Sequence, residues 1–169
     1  MGIRRSLVVA LSVLAAAGVV GCSSDDDSRP TPGTPSVTTA AECLSRVPDD
    51  VLTTLGWTPV GDGAEATQRG CRREAEEGYV EVRDRPGGYD RLCATLDRTG
   101  GVAAGVPADW LGELLGRTVT ACAVEPDAEV GATKVALERD GGAVTEVTVA
   151  VLSPTPRAQV REAVAALIG

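Results

Sequence analysis

Hydrophobic and polar positions divide this chain into three regimes. The first is an uncharged apolar run from Leu7 to Val20, preceded by Arg4 and Arg5 and followed by the polar stretch Ser23-Ser24-Asp25-Asp26-Asp27. A membrane-spanning helix needs about 20 consecutive apolar residues. This run is shorter and contains Ser12 and Gly18, so it reads as the core of a signal peptide covering residues 1–21 rather than a retained span. The second regime, Ser23 to Thr38, has Val37 as its one large apolar residue amid Ser, Thr, Asp and Pro. Such a stretch cannot bury a core and reads as a solvated tether, spanning on the order of 20 to 25 Å by flexible-chain scaling. The Asp25 to Asp27 run within it reads as solvation, with metal ligation the other reading.

The third regime, residues 39–169, is patterned as a single folded domain. Thr39 with Glu42 three residues on forms a capping box and opens a helix carrying Cys43, Leu44 and Val47. Pro48 restarts the helix, with Asp49 and Asp50 in a first turn that favours negative charge. Val51, Leu52 and Leu55 give that helix a buried face and Gly56 ends it. After a polar, Gly-containing loop come two strand candidates, Thr67 to Glu74 and Tyr79 to Asp84. In the second, Val80 and Val82 share one face while Tyr79, Glu81 and Arg83 share the other. Pro86-Gly87-Gly88 breaks the strand. Tyr89, Leu92, Cys93 and Leu96 then fall on one helical stripe.

Pro107 is expected to start a short helix with Trp110, Leu111, Leu114 and Leu115, closed by Gly116. Three strands follow, Thr118 to Val124, Ala132 to Glu138 and Val144 to Leu152. The last two flank Asp140-Gly141-Gly142, and Asp-Gly between alternating strands is a strong hairpin signal. Thr133, Val135 and Leu137 alternate with Lys134, Ala136 and Glu138, while Val147, Val149 and Val151 alternate with Glu146, Thr148 and Ala150. This predicts a sheet with one apolar and one mixed face. Pro154 and Pro156 end it, and Arg157 to Ile168 forms a last helix through Val160, Val164 and Leu167.

Two segments echo each other. Cys43, Val47-Pro48-Asp49-Asp50-Val51-Leu52, Leu55-Gly56 and Cys71 correspond to Cys93, Val106-Pro107-Ala108-Asp109-Trp110-Leu111, Leu115-Gly116 and Cys122. The echo suggests two related helix-strand-strand-helix halves packed face to face. It predicts disulfides Cys43 to Cys71 and Cys93 to Cys122, each loop closure contributing about 3.5 kcal/mol in the chain-entropy estimate. The plainer reading is that Val-Pro-x-Asp is how helices commonly begin.

Val19-Val20-Gly21-Cys22 resembles the lipobox of bacterial lipoproteins, in which a diacylglycerol is attached to the cysteine thiol and the chain is cut just before it. The resemblance makes Cys22 the lipidation site, palmitate being one of the expected acyl groups, with the membrane engaged through that anchor on its extracytoplasmic face. Attachment through two or more acyl chains is lasting, whereas one chain binds only marginally. The Arg4-Arg5 pair is also compatible with twin-arginine export, although the general route is favoured. Cleavage there would remove 21 of the 169 residues, including Arg4 and Arg5, leaving 148 residues and taking the net charge from −8 to −10.

That charge argues against nucleic acid as a partner. With Cys22 assigned to lipid, Cys43, Cys71, Cys93 and Cys122 form an even set suited to an oxidising compartment. A four-thiolate zinc site would want close pairs such as C-x-x-C, and every gap here exceeds twenty residues. Ala, Val and Gly dominate, Arg is abundant while Lys134 is the one lysine, and His, Asn and Phe are absent, a skew expected of a GC-rich bacterium.

Cys22, Cys43, Leu44, Leu55, Gly56 and Cys71, set in a lipobox, acidic tether and terminal helix, together resemble small actinobacterial lipoproteins of unknown function. The resemblance implies an α+β fold with helices packed on one face of an antiparallel sheet, and it transfers neither an activity nor a catalytic residue.

Without histidine there is no Ser-His-Asp triad, imidazole ligand or ordinary neutral-pH base. Lys134 could partner a serine, but its strand position reads as solvent-facing. Glu74, Glu76, Glu77 and Glu81 cluster, and glycoside cleavage needs two suitably spaced acids. Arg72 and Arg73 are expected to form exposed ion pairs with them. Trp57 and Trp110 read either as core residues at helix ends or as ligand or partner contacts. No metal or cofactor is expected. The leading reading is a non-enzymatic cell-envelope module that binds an envelope protein or a small ligand. The alternatives are a cell-wall glycan-acting enzyme and a lipid carrier.

Overall fold

The computed structural model describes residues 39–61, 63–67, 70–96 and 105–169, so Cys22, the signal peptide and the tether lie outside the described residues. Helix α1 (Ala40–Arg46) opens with the expected capping box, in which Glu42 N–H donates to Thr39 Oγ1 at 3.2 Å and Thr39 N–H donates to Glu42 Oε2 at 2.6 Å. Pro48, which lacks an N–H and disfavours helical backbone in the residue before it, separates α1 from α2 (Asp49–Leu55). Gly56, at φ +70°, closes α2 in a left-handed turn where Trp57 N–H reaches Leu52 O and Gly56 N–H reaches Thr53 O. Helix α4 (Asp109–Leu115) closes through Gly116 in the same way, with Arg117 N–H on Gly112 O and Gly116 N–H on Glu113 O. The repeated Leu-Gly pair is therefore a repeated helix stop.

Seven strands form one antiparallel sheet, in an α+β fold. They are β1 (Glu65–Thr67), β2 (Gly70–Ala75), β3 (Gly78–Arg85), β4 (Val106–Pro107), β5 (Ala121–Val124), β6 (Gly131–Glu138) and β7 (Val144–Val151). Their order is β1-β2-β3-β7-β6-β5-β4. The last strand in sequence thus lies in the middle, pairing with β3 through Val80↔Val149 and with β6 through Val135↔Val147. The two echoing segments contribute to one continuous sheet rather than to two sheets packed face to face. Two strands escape the sequence pattern. Thr67 ends β1 instead of starting β2, pairing with Gly70, and Val106-Pro107 pairs with β5 before α4 begins. Pieces of two and three residues carry no readable period.

Strand alternation sorts the core. Val80, Val82, Val135, Leu137, Val147, Val149 and Val151 face α1, α2, α4 and α5 (Arg157–Ile168), which contribute Val47, Leu52, Leu111, Val160 and Ile168. The neighbouring positions on the strands face the other way. There, Cys122, Ala136 and Val144 meet Leu96, with Leu92 and Cys93 of α3 (Tyr89–Cys93) packed against them. Four helices therefore share one face, as expected, and the short α3 covers part of the opposite one. The β6–β7 connection is a single 3-10 turn at Asp140–Gly142, with Gly141 at φ +81° and Arg139 N–H donating to Ala143 O at 2.7 Å.

Candidate functional site

The four expected disulfide cysteines pair as the echo predicted, Cys43 with Cys71 and Cys93 with Cys122. They lie on opposite faces of the sheet: Cys43 and Cys71 belong to the large core cluster, Cys93 and Cys122 to the small one.

Three of the four clustered glutamates are engaged with other groups. Glu77 serves the backbone: its carboxylate accepts from Thr58 N–H at 2.8 Å, and its carbonyl accepts from Leu152 N–H at 2.7 Å. Glu76 is exposed in the β2–β3 turn. Glu74 and Glu81 project from the face opposite the four helices, Glu74 ion-paired with Arg72 and Glu81 with Arg83, both at 2.7 Å. Arg72 also lies over the Tyr79 ring, 3.7 Å from its centroid. This is a charged grid on a sheet surface, with each of the two carboxylates answered by a guanidinium.

Arg73 departs from expectation. It shares the face of Cys71 and Ala75, is buried at 3% exposure, and reaches Asp49 Oδ1 at 2.7 Å from Nη2. Its Nε and Nη1 are buried without hydrogen-bond partners. The signal lay in the two-residue period: Arg73 is two positions from Cys71, so a buried cysteine carries the arginine inward with it. Lys134 also differs. Rather than projecting freely into solvent, it sits partly buried on the α3 side and donates from Nζ to Leu96 O at 3.3 Å.

The tryptophans part company. Trp57 is 6% exposed, and its indole N–H donates to Thr155 Oγ1 at 3.0 Å, the arrangement of a core aromatic with its polar atom satisfied. Trp110 is half-buried and lines an open groove of about 370 Å³ between α4 and α5, with Glu113, Leu114, Arg157, Ala158, Arg161 and Glu162. Leu114 is 48% exposed there. Arg161 lies 5.0 Å from the Trp110 ring centroid and is fixed by two hydrogen bonds to Glu125, at 2.8 and 2.5 Å. That hydrogen-bonding, with the nearby carboxylate charges of Glu125 and Glu113 adding to it, holds the Arg161 guanidinium in its charged form more firmly than usual. Arg157 donates to Pro126 O at 2.8 Å. The groove thus combines a partly buried indole and an exposed leucine with charged groups already held in place. Sequence reasoning named Trp110 but missed Arg157 and Arg161, since their meeting with α4 depends on a helix packed from more than forty residues away.

The chain matches no family model, no curated protein and no solved structure. Among the described residues no group of three or more His, Cys, Asp or Glu side chains could hold a metal ion, and no helix is long and apolar enough to cross a membrane.

Proposed function

We propose that this chain is exported, lipidated at Cys22 and held on the extracytoplasmic face of the cell membrane, where its domain acts as a non-enzymatic binding or assembly module of the envelope. The sequence Leu7 to Val20 followed by Gly21-Cys22 motivates the anchor, and two disulfides are compatible with an oxidising compartment. The observation that carries the binding reading is the α4–α5 groove, in which Trp110 and Leu114 remain accessible beside the anchored guanidinium groups of Arg157 and Arg161. Tryptophan and arginine are among the residue types that most often dominate protein interfaces. An envelope protein is the favoured occupant and a small ligand the second.

The anchor is tested by mass spectrometry of the mature N-terminus together with membrane fractionation. A diacylglyceryl-modified Cys22 that disappears with Cys22→Ala supports it, and an unmodified N-terminus elsewhere refutes it. The binding surface is tested by crosslinking in the native envelope. A specific protein partner lost with Trp110→Ala, while the melting temperature holds within a few degrees, supports the groove. A partner retained by Trp110→Ala moves the contact elsewhere on the domain.

A further inference from the structure

The two disulfides join cysteines 28 and 29 residues apart, yet their surroundings are unlike. Cys43 and Cys71 are both at 0% exposure, sealed into the large core. Cys122 is 4% exposed, and Cys93 on α3 is partly buried rather than sealed in. That helix has five residues, none fully buried, and no side-chain cap at Gly88. A helix this short does not hold itself together in water. What secures it is the small cluster of Leu96, Ala136 and Val144, the Lys134 hydrogen bond to Leu96 O, the 2.9 Å bond from Gly105 N–H to Cys93 O, and the disulfide.

We infer that Cys93–Cys122 is a thiol-exchange site, opened by a dithiol protein while Cys43–Cys71 stays closed, and that α3 leaves the sheet when it opens. Exchange requires a thiolate to approach one sulfur in line with the bond, so access decides which disulfide reacts. The partner's thiolate attacks Cys93 Sγ, the Cys93–Cys122 bond breaks, and Cys122 leaves as a thiolate that takes up a proton. The partner's second thiol, as thiolate, then attacks its own sulfur in the mixed disulfide and expels Cys93. Two protein thiols and one partner disulfide result, with two electrons passing from partner to protein. Opening uncovers Ala136 and Val144 on β6 and β7 and leaves the four-helix face intact. The export compartment of the partner rests on the proposed function, whereas the selectivity rests on burial alone.

The test uses the full chain carrying Cys22→Ala, so that Cys43, Cys71, Cys93 and Cys122 are its cysteines. It is treated with graded dithiothreitol, quenched with an alkylating agent and mapped by peptide mass spectrometry. Alkylation of Cys93 and Cys122 is expected at about tenfold lower reductant than alkylation of Cys43 and Cys71. In that intermediate, amide hydrogen exchange should rise through residues 89–96 and stay low in α1 and α5. Simultaneous opening of both disulfides, earlier opening of Cys43–Cys71, or unchanged protection of α3 would each overturn the inference. The double variant Cys93→Ala, Cys122→Ala should reproduce the exchange pattern without reductant. Global unfolding of that variant would also overturn it, because α3 is inferred to detach without the rest.

Discussion

The two faces of the sheet carry the same covalent device in opposite settings. On one face, Cys43–Cys71 ties α1 to β2 beneath four helices, in a cluster that also holds Leu52, Leu111 and Ile168. On the other, Cys93–Cys122 ties α3 to β5 over a cluster of four buried residues. The loop-closure contribution is nearly equal for the two, because it depends on the logarithm of a loop length that differs by one residue. What differs is how much packing is lost with the sulfurs. The first disulfide is one element of a core that closes around it, whereas the second holds in place a segment that packs little.

Removing each disulfide in turn should separate the two settings most widely. Replacing Cys43 and Cys71 by alanine should cost about 5 kcal/mol, the loop term plus the cavity left in the main core. Replacing Cys93 and Cys122 should cost about 3 kcal/mol, since α3 can loosen around the change. Chemical denaturation of the two double variants checks both values. Equal losses would mean that the far face is packed as tightly as the helix-covered one.

Side chains without a disulfide should repeat the asymmetry on a smaller scale. Leu52 is fully buried at the α2–α5 contact, and Leu52→Ala should cost about 3 to 4 kcal/mol. Leu96, 4% exposed beside α3, should cost about 2 kcal/mol as Leu96→Ala, because the segment above it can settle into the space. Thermal unfolding of the two variants decides the matter, and the order of their melting temperatures is the prediction.

Charge gives a third comparison. Arg73 is buried under the helices with Asp49 as its hydrogen-bonded partner, while Arg85 on the opposite face pairs with Glu146 at 2.7 Å with a third of its side chain exposed. Removing the partner of a buried cation leaves that cation uncompensated, so Asp49→Ala should cost about 1 to 3 kcal/mol. Glu146→Ala should cost less, about 1 kcal/mol, because Arg85 keeps a third of its side chain in water although Glu146 itself is nearly buried. Arg73→Met should be close to neutral, since it removes the two unsatisfied nitrogens with the charge. A large loss in Arg73→Met would show that the buried ion pair stabilises the fold beyond filling its space.

Much of this layout was legible in the chain because it is decided locally. The Thr39–Glu42 box, the break at Pro48 and the stops at Gly56 and Gly116 are each settled within one turn of helix, and all four stand where the sequence placed them. The cysteine echo also anticipated the disulfide partners. What escaped was non-local. Nothing in residues 144–151 says that this strand enters between β3 and β6, and its all-buried pattern follows from that central place. The side of the sheet taken by α3 depends on Cys122 alternating with Ala121 and Ala123 in β5, which fixes the face only once the register is known. The groove at Trp110 is similarly a product of α4 lying beside α5, and its arginines look like ordinary surface residues in the sequence.

The two disulfide-bearing helices also begin differently, with a modest consequence for stability. Helix α1 has a capping box and α3 has no side-chain cap, so the α1 cap should carry its own dependence on pH in the acid range. The Thr39 backbone N–H, and secondarily the Thr39 hydroxyl, hold the Glu42 carboxyl below its ordinary pKa, against a slight upward push from desolvation. A group whose pKa is lowered on folding adds stability that is present above its unfolded value and is lost as pH falls through the folded value. Acidification should therefore raise amide exchange at the first turn of α1 before it affects α5. An NMR titration of Glu42 locates the transition. Thr39→Ala removes the hydroxyl but keeps the backbone donor, so it should move the Glu42 pKa only part of the way back toward its ordinary value. Complete restoration would mean that the hydroxyl positions the carboxylate for both hydrogen bonds, and no movement would leave the backbone N–H as the sole cause.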